Sequence, residues 1–364
     1  MSWNEILNHE RPLERFRRSM ERSRLASTYL FVGPEGIGKR LFAHKLAQSL
    51  LCETNPEIEL NPCGSCPGCQ QVLAKTHPDL ILVSKPVDKA FIPIDLFIGD
   101  KEHRRQEGLC HDIGLKPFRG GRKIAIIDDA DALNQEGANS LLKTLEEPPP
   151  NSLLILIGTS EQMQLPTIVS RSQVVRFQRL SNRQVLTILE QNSLTESESI
   201  PLSDLADASD GSVSLAIKLS DPEAFEFRGM LFNQLAGLDP GQRDFAKTVT
   251  GFVDAVGKDA ASKRARLSLV GDLAIMFYRQ WYLQLTETVL DPHHTDPVLN
   301  SAVEPAVLKW RHSINQGAEV AARCIERSSE MQRHIRANAG TANVVDAWLR
   351  DLGRIGRGEF STVV

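Results

Sequence analysis

The chain has 364 residues, with 42 Lys+Arg against 46 Asp+Glu and a formal net charge of -4. This length allows two or three domains, each with its own core, and the acidic balance excludes a global basic field, so any nucleic-acid contact must come from a local patch or from partners. Six cysteines are too few for a disulfide scaffold in a chain of this size.

The first residues, Met1 to Glu5, show no basic-then-apolar signal pattern, and apolar runs such as Leu153 to Ile157 are far too short to span a bilayer. The expectation is a soluble cytoplasmic protein with no membrane partner. Residues 1–26 place Ile6, Leu7, Leu13, Phe16 and Met20 among many arginines, and Glu14 and Arg18 are set for an i,i+4 pair. One or two amphipathic helices follow from this spacing. Their arginines suit a solvated face better than a DNA contact.

Next comes an apolar run, Tyr29 to Val32, then Gly33-Pro34-Glu35-Gly36-Ile37-Gly38-Lys39-Arg40, then a helical pattern through Phe42, Ala43, Leu46, Ala47 and Leu50. Strand, glycine loop and helix is the setting of a phosphate-binding loop. Gly33, Gly36 and Gly38 let backbone N–H groups turn inward, the helix offers its positive end, and Lys39 reaches the outer phosphates. The residue after the lysine is Arg40 rather than a Ser or Thr, so the hydroxyl that would ligate magnesium is missing. ATP with magnesium is therefore a candidate ligand that is expected to bind weakly or not to be hydrolysed.

Cys63, Cys66 and Cys69 stand at i, i+3 and i+6 among turn-permitting glycines, and Cys52 falls at the expected end of the helix begun at Lys39. Four thiolates make a closed, structural zinc site, with reduced free thiols in a loop as the alternative reading. Cys110 and Cys324 stand alone and read as packed or surface thiols.

Five β-like runs, Thr28–Val32, Asp79–Val83, Lys123–Ile127, Leu153–Ile157 and Gln173–Phe177, alternate with helical stretches. Near-continuous apolar strands of this kind predict a parallel sheet covered on both faces, an α/β domain. The third strand ends in Asp128-Asp129-Ala130-Asp131. Asp128 is placed to hold a magnesium-bound water, and Asp129 takes the position of a water-polarising base with a side chain one methylene short of a glutamate's reach. A loop of solvated aspartates is the alternative. Asn134 to Glu147 reads as a helix stopped by Pro148-Pro149-Pro150. After the fourth strand, the Thr159 hydroxyl can sense a terminal phosphate or simply cap the strand. Arg171, just before the fifth strand, is either surface charge or a finger reaching into a neighbouring subunit's nucleotide.

Beyond Phe177 the β-like runs stop. Ser181 to Gln184 has capping-box spacing, and Arg183–Glu190, Leu202–Ala208 and Val213–Leu219 read as short helices. From Pro222 onward only longer helical patterns occur, notably Arg264–Thr286 and Val303–Ala337, with a loop around Asp291-Pro292-His293-His294 whose histidines read as loop residues.

The run GPEGIGKR, the Cys52 plus CGSCPGC cluster, IIDDADALNQEGANSLLKTLEEPP and the SRS run around Arg171 together resemble the AAA+ clamp-loader subunits of bacterial DNA polymerase III. The segment Asn139 to Pro149 is the most specific of these. The resemblance is dense to about residue 180 and architectural beyond. It implies a RecA-like AAA+ domain over 1–178 with a zinc module at 52–69, a helical lid over 179–221, and a helical oligomerisation collar over 222–364 that closes a five-subunit ring. Partners implied are the gamma/tau and delta subunits, the sliding clamp, and primer-template DNA met through the assembled complex. Motor members carry a Thr or Ser at the place of Arg40, and a lid arginine after a Gly-Ser pair where this chain has Ser214. Both departures imply a nonmotor subunit that helps load the clamp, the alternative being an ATP-hydrolysing motor subunit. Ser172 replaces the usual cysteine of the SRC run and leaves the arginine in place.

Overall fold

The computed structural model of the chain describes residues 3, 6–86, 89–119, 121–193, 199–237, 243–288 and 296–359. They form two compact units, Met1–Leu180 and Ser181–Val364.

The first unit runs α1 (Glu10–Glu21), β1 (Thr28–Val32), α2 (Lys39–Leu50), α3 (Pro67–Leu73), β2 (Leu80–Val83), α4 (Asp95–Ile98), α5 (Leu109–Asp112), β3 (Lys123–Ile127), α6 (Gln135–Glu146), β4 (Ser152–Gly158), α7 (Pro166–Val169) and β5 (Gln173–Arg176). All strand pairs are parallel, in the order β2-β3-β4-β1-β5. Every residue of β1, β3 and β4 is buried, which is why these segments lack polar alternation. On one face, Phe16 of α1 and Phe42 of α2 pack with Phe31 and Phe177. On the other, Leu141 and Leu145 of α6 share a core with Leu30, Ile127, Leu154 and Leu156. The sheet predicted from the sequence is therefore present, with strand ends within one residue of expectation.

α6 begins where Asn134 accepts the Gly137 N–H at 2.8 Å. It stops before the prolines, whose rings cannot continue it. Among the described residues of 1–26 the α-helix is α1, with Leu13 and Phe16 turned inward and six arginines between 11 and 24 left at the surface.

Among the described residues the second unit is helical: α8 (Asn182–Asn192), α9 (Leu202–Ala208), α10 (Val213–Leu219), α11 (Pro222–Ala236), α12 (Arg243–Asp254), α13 (Ala260–Leu285), α14 (Pro297–Trp310), α15 (Ile314–Arg336) and α16 (Thr341–Gly356). The capping box forms as read, with Gln184 N bonded to Ser181 Oγ at 3.3 Å and Ser181 N to Gln184 Oε1 at 2.9 Å. α13 is the central helix, and Trp281, Phe277 and Tyr278 on it are almost wholly buried, as is Trp348 of α16. A buried pair, Arg228 Nη2 to Asp296 Oδ1 at 2.7 Å, ties α11 to the start of α14, where Asp296 also caps Val298 and Leu299. Arg279 of α13 reaches Asp210, between α9 and α10, at 2.6 Å. The stretches expected as lid and collar thus lie in one compact unit.

The pattern Val303–Ala337 is two helices rather than one. Ser313 leaves helical geometry at φ -139, ψ 55, and the chain turns between Trp310 and Ile314. The reason lies in packing: α14 lies on α11 and α13, whereas α15 runs along α13 and α16, and one straight rod cannot do both. At the turn the helices approach so closely that a Cβ on Gly317 would sit 2.6 Å from Trp310 Cβ. His293 and His294 lie outside the described residues. Among the described residues no helix is long and apolar enough to cross a membrane.

Candidate nucleotide and metal sites

In an open parallel sheet, ligands sit beyond the carboxyl ends of the strands. Here the ends of the adjacent strands β3, β4 and β1 deliver Asp128 and Asp129, Thr159, and the glycine loop to one edge. Gly33 must be glycine: at φ 152 its missing Cβ would lie 2.6 Å from Phe177 O. Gly36 (φ 70) and Gly38 (φ 96) complete the turn into α2.

The loop's cations are already engaged. Lys39 Nζ donates to Gly33 O and Pro34 O, each at 2.5 Å. An ammonium has three donors, so one remains. Burial lowers the Lys39 pKa to about 8, against the opposing pull of Glu35, Asp131 and Asp128. Arg40 Nη1 lies 3.2 Å from Asp128 Oδ2. The Arg40 guanidinium, more than half exposed, thus pairs with the carboxylate expected to hold a magnesium-bound water.

Asp129, expected as a base, takes a left-handed backbone at φ 57. Desolvation, and after it the neighbouring Asp128, pushes its pKa up. Thr159 also has a partner of its own chain: its hydroxyl donates to Asp131 Oδ2 at 2.6 Å and its N–H to the same carboxylate at 3.0 Å. Gln164 Nε2 donates to Asp131 as well. Asp131 is the residue that sequence reading overlooked. Three aspartates in four positions gave no sign of which one would cross to the neighbouring strand end.

A second overlooked residue is His9, buried against Phe177 and Phe42. Its Nε2 lies 2.7 Å from Ile37 O, inside the glycine loop, and its Nδ1 lies 2.9 Å from Asn8 O. Burial lowers its pKa despite these carbonyls.

Arg171 is separated from this edge. β5 is parallel to β1 with Gln173 opposite Tyr29, so Arg171 precedes the start of the strands while the glycine loop follows their end. Its Nε and Nη2 both contact Glu146 Oε1, at 3.0 and 2.6 Å, and its Nη1 contacts Thr167 O and Ser170 Oγ at 3.1 and 3.2 Å. An arginine so placed cannot act on the nucleotide edge of its own chain.

The four cysteines do come together. Their Sγ atoms all lie within 4.8 Å of one another, with Cys52–Cys66 at 4.0 Å and Cys63–Cys69 at 3.9 Å. A metal held by four thiolates at about 2.3 Å in a tetrahedron keeps the sulfurs about 3.8 Å apart, so the cluster fits a metal ion closely. Backbone N–H groups point at the sulfurs: Cys66 N to Cys63 Sγ at 3.3 Å, Asn55 N to Cys52 Sγ at 3.3 Å, and Glu53 N and Cys69 N to Cys66 Sγ at 3.4 Å. The Cys66 N–H, foremost, lowers the Cys63 thiol to about 5, whereas burial pushes Cys69 up. Gly68 permits the arrangement, since a Cβ there would meet Leu51 O at 2.4 Å. Ion pairs of Arg119 with Glu53 and of Arg122 with Glu57 fasten the module to the chain leading into β3.

A protein-family model described as DNA polymerase III, delta subunit, matches residues 8–181. The chain is similar to subunit delta' of DNA polymerase III from Pseudomonas aeruginosa, 36% identical over 150 residues, which cover 41% of this chain and 42% of that one. It is similar to subunit delta' from Bacillus subtilis, 34% identical over 186 residues, 51% of this chain and 52% of that one. Subunit tau from Salmonella typhimurium is 30% identical over 275 residues, covering 74% of this chain and 40% of its own length. The chain spans about half the length of the delta' relatives it matches.

Proposed function

We propose that this protein is the nonmotor, delta'-type subunit of a clamp loader, the stator against which the ring opens the sliding clamp for primer-template DNA; the family match over residues 8–181 and the similarity to two delta' subunits support this reading. The observation that carries the nonmotor reading is the Arg40–Asp128 pair. It pairs a protein cation with the carboxylate that would hold the metal through water, and it comes from the same residue that removes the metal-ligating hydroxyl. Lys39, turned onto its own loop, adds a second obstacle to phosphate. In this reading nucleotide binds weakly and turnover belongs to gamma/tau partners, with delta as the other neighbour. The second unit contributes a lid over 179–221 and a collar over 222–364, and the complex works in the cytoplasm.

The thiolate cluster is read as a zinc site. Soft ligands, a closed tetrahedron and no open position suit zinc in a structural role. Arg171 is read as a finger supplied in trans: it lies at the far end of the strands from its own loop, which is compatible with a neighbour's nucleotide as its target, a surface arginine being the alternative.

Two assays test this. The purified chain alone should show negligible ATP turnover, and sustained hydrolysis that disappears in Lys39→Ala would establish the motor reading instead. In reconstituted rings, Arg171→Ala should lower clamp- and DNA-stimulated hydrolysis by the gamma/tau partner at matched assembly. Unchanged rates would return Arg171 to a surface role.

A further inference from the structure

The guanidinium of Arg171 is held by its own chain in a way that bears on its use. Of five N–H donors, Nε and one Nη2 go to Glu146 Oε1, and Nη1 contacts Thr167 O and Ser170 Oγ. A single Nη2 donor is left. Stabilising a phosphoryl group by a planar fork requires two parallel donors, and the edge that would supply them, Nε with Nη2, is the edge on Glu146. Glu146 sits at the last turn of α6, half exposed, and Arg171 is one third exposed, so the pair faces solvent and can part.

We propose that Glu146 is a latch on Arg171: it competes with the neighbouring subunit's terminal phosphate for the same guanidinium edge, keeping the finger folded until the ring presents nucleotide. This rests on the in-trans reading of Arg171. Glu146 is a positioning residue, since it touches the finger and not the nucleotide. A partly exposed carboxylate–guanidinium pair is weak enough to yield to a phosphate bearing more charge, and its removal should change the finger's availability by roughly 1.5- to 5-fold. A latch of this size trims activity in the unloaded ring without abolishing it in the loaded one.

The test uses Glu146→Gln, which keeps size and an acceptor oxygen but removes the charge. In the isolated chain, the rate at which phenylglyoxal modifies Arg171, followed by peptide mass mapping, should rise by roughly 1.5- to 5-fold. In reconstituted rings without clamp or DNA, the partner's ATPase kcat should rise by a similar factor at unchanged KM, and the variant should do nothing when combined with Arg171→Ala. An unchanged modification rate overturns the latch whatever the finger does. A faster modification rate together with rings insensitive to Arg171→Ala keeps the contact and refutes the finger reading. An ATPase change that persists in the Arg171→Ala background assigns Glu146 a different role and overturns the proposal.

Discussion

Replacing Arg40 by threonine separates the two effects that this residue has on the nucleotide edge. Arg40→Thr removes the guanidinium from Asp128 and restores a hydroxyl at the first position after Lys39. The Arg40 side chain is 55% exposed, so the lost pair is worth at most about 1 kcal/mol, or up to about fivefold in the availability of Asp128 to a metal. The new hydroxyl adds a direct magnesium ligand, and its effect appears only when magnesium is present. The expected result is a fluorescent ATP analogue that binds the wild type weakly and equally with magnesium or EDTA, and binds the variant roughly tenfold or more tighter with magnesium alone. Turnover should stay negligible, because Thr159 remains bonded to Asp131 and Ser214 supplies no arginine. Strong magnesium dependence in the wild type, or none in the variant, would show that Arg40 does not stand in for the metal.

Other outcomes follow from the same geometry. Purified protein should carry one zinc per chain by elemental analysis, and Cys66→Ser, which removes a ligand and weakens the cap on α3, should lose it; full retention would contradict a four-thiolate site. Gly68→Ala touches no ligand, yet it should lower metal affinity measured by chelator competition, because the new Cβ pushes α3 off Leu51 O; unchanged affinity would mean the backbone gives way elsewhere. Lys39 sets a pH dependence. Its folded pKa of about 8 lies below the unfolded value, so the buried charge costs stability at neutral pH, and chemical denaturation should show that cost shrinking as pH rises between about 8 and 10.5, the window in which the unfolded chain binds more protons. Phosphate binding to the loop favours the protonated form and should weaken as pH rises through about 8; titrations of inorganic phosphate flat from pH 7 to 9.5 would count against this role for Lys39.

The sheet was legible because burial on both faces writes itself into unbroken apolar runs such as Leu153–Ile157, and α6 because Asn134 and three prolines mark its ends. The cysteine cluster was legible because its spacing is local. What could not be read was tertiary partnership. Asp131 and Thr159 are 28 positions apart, and Arg171 and Glu146 are 25; nothing in either neighbourhood says they meet. The break after Trp310 escaped notice because apolar periodicity continues through it, and only the competing surfaces of α11 and α16 require a turn there.

α2 joins the two sites end to end. Lys39 is its first residue, and Cys52 follows its last by two positions. At 1.5 Å and 100° per residue, the helix is a ruler of about 18 Å whose phase is fixed at both ends. Deleting or inserting one residue within it would swing Cys52 about 100° out of the sulfur tetrahedron or turn Lys39 out of the loop by as much. The length of this helix is therefore not free to drift, whereas a surface stretch such as 100–107, anchored to neither site, can gain or lose residues without disturbing either.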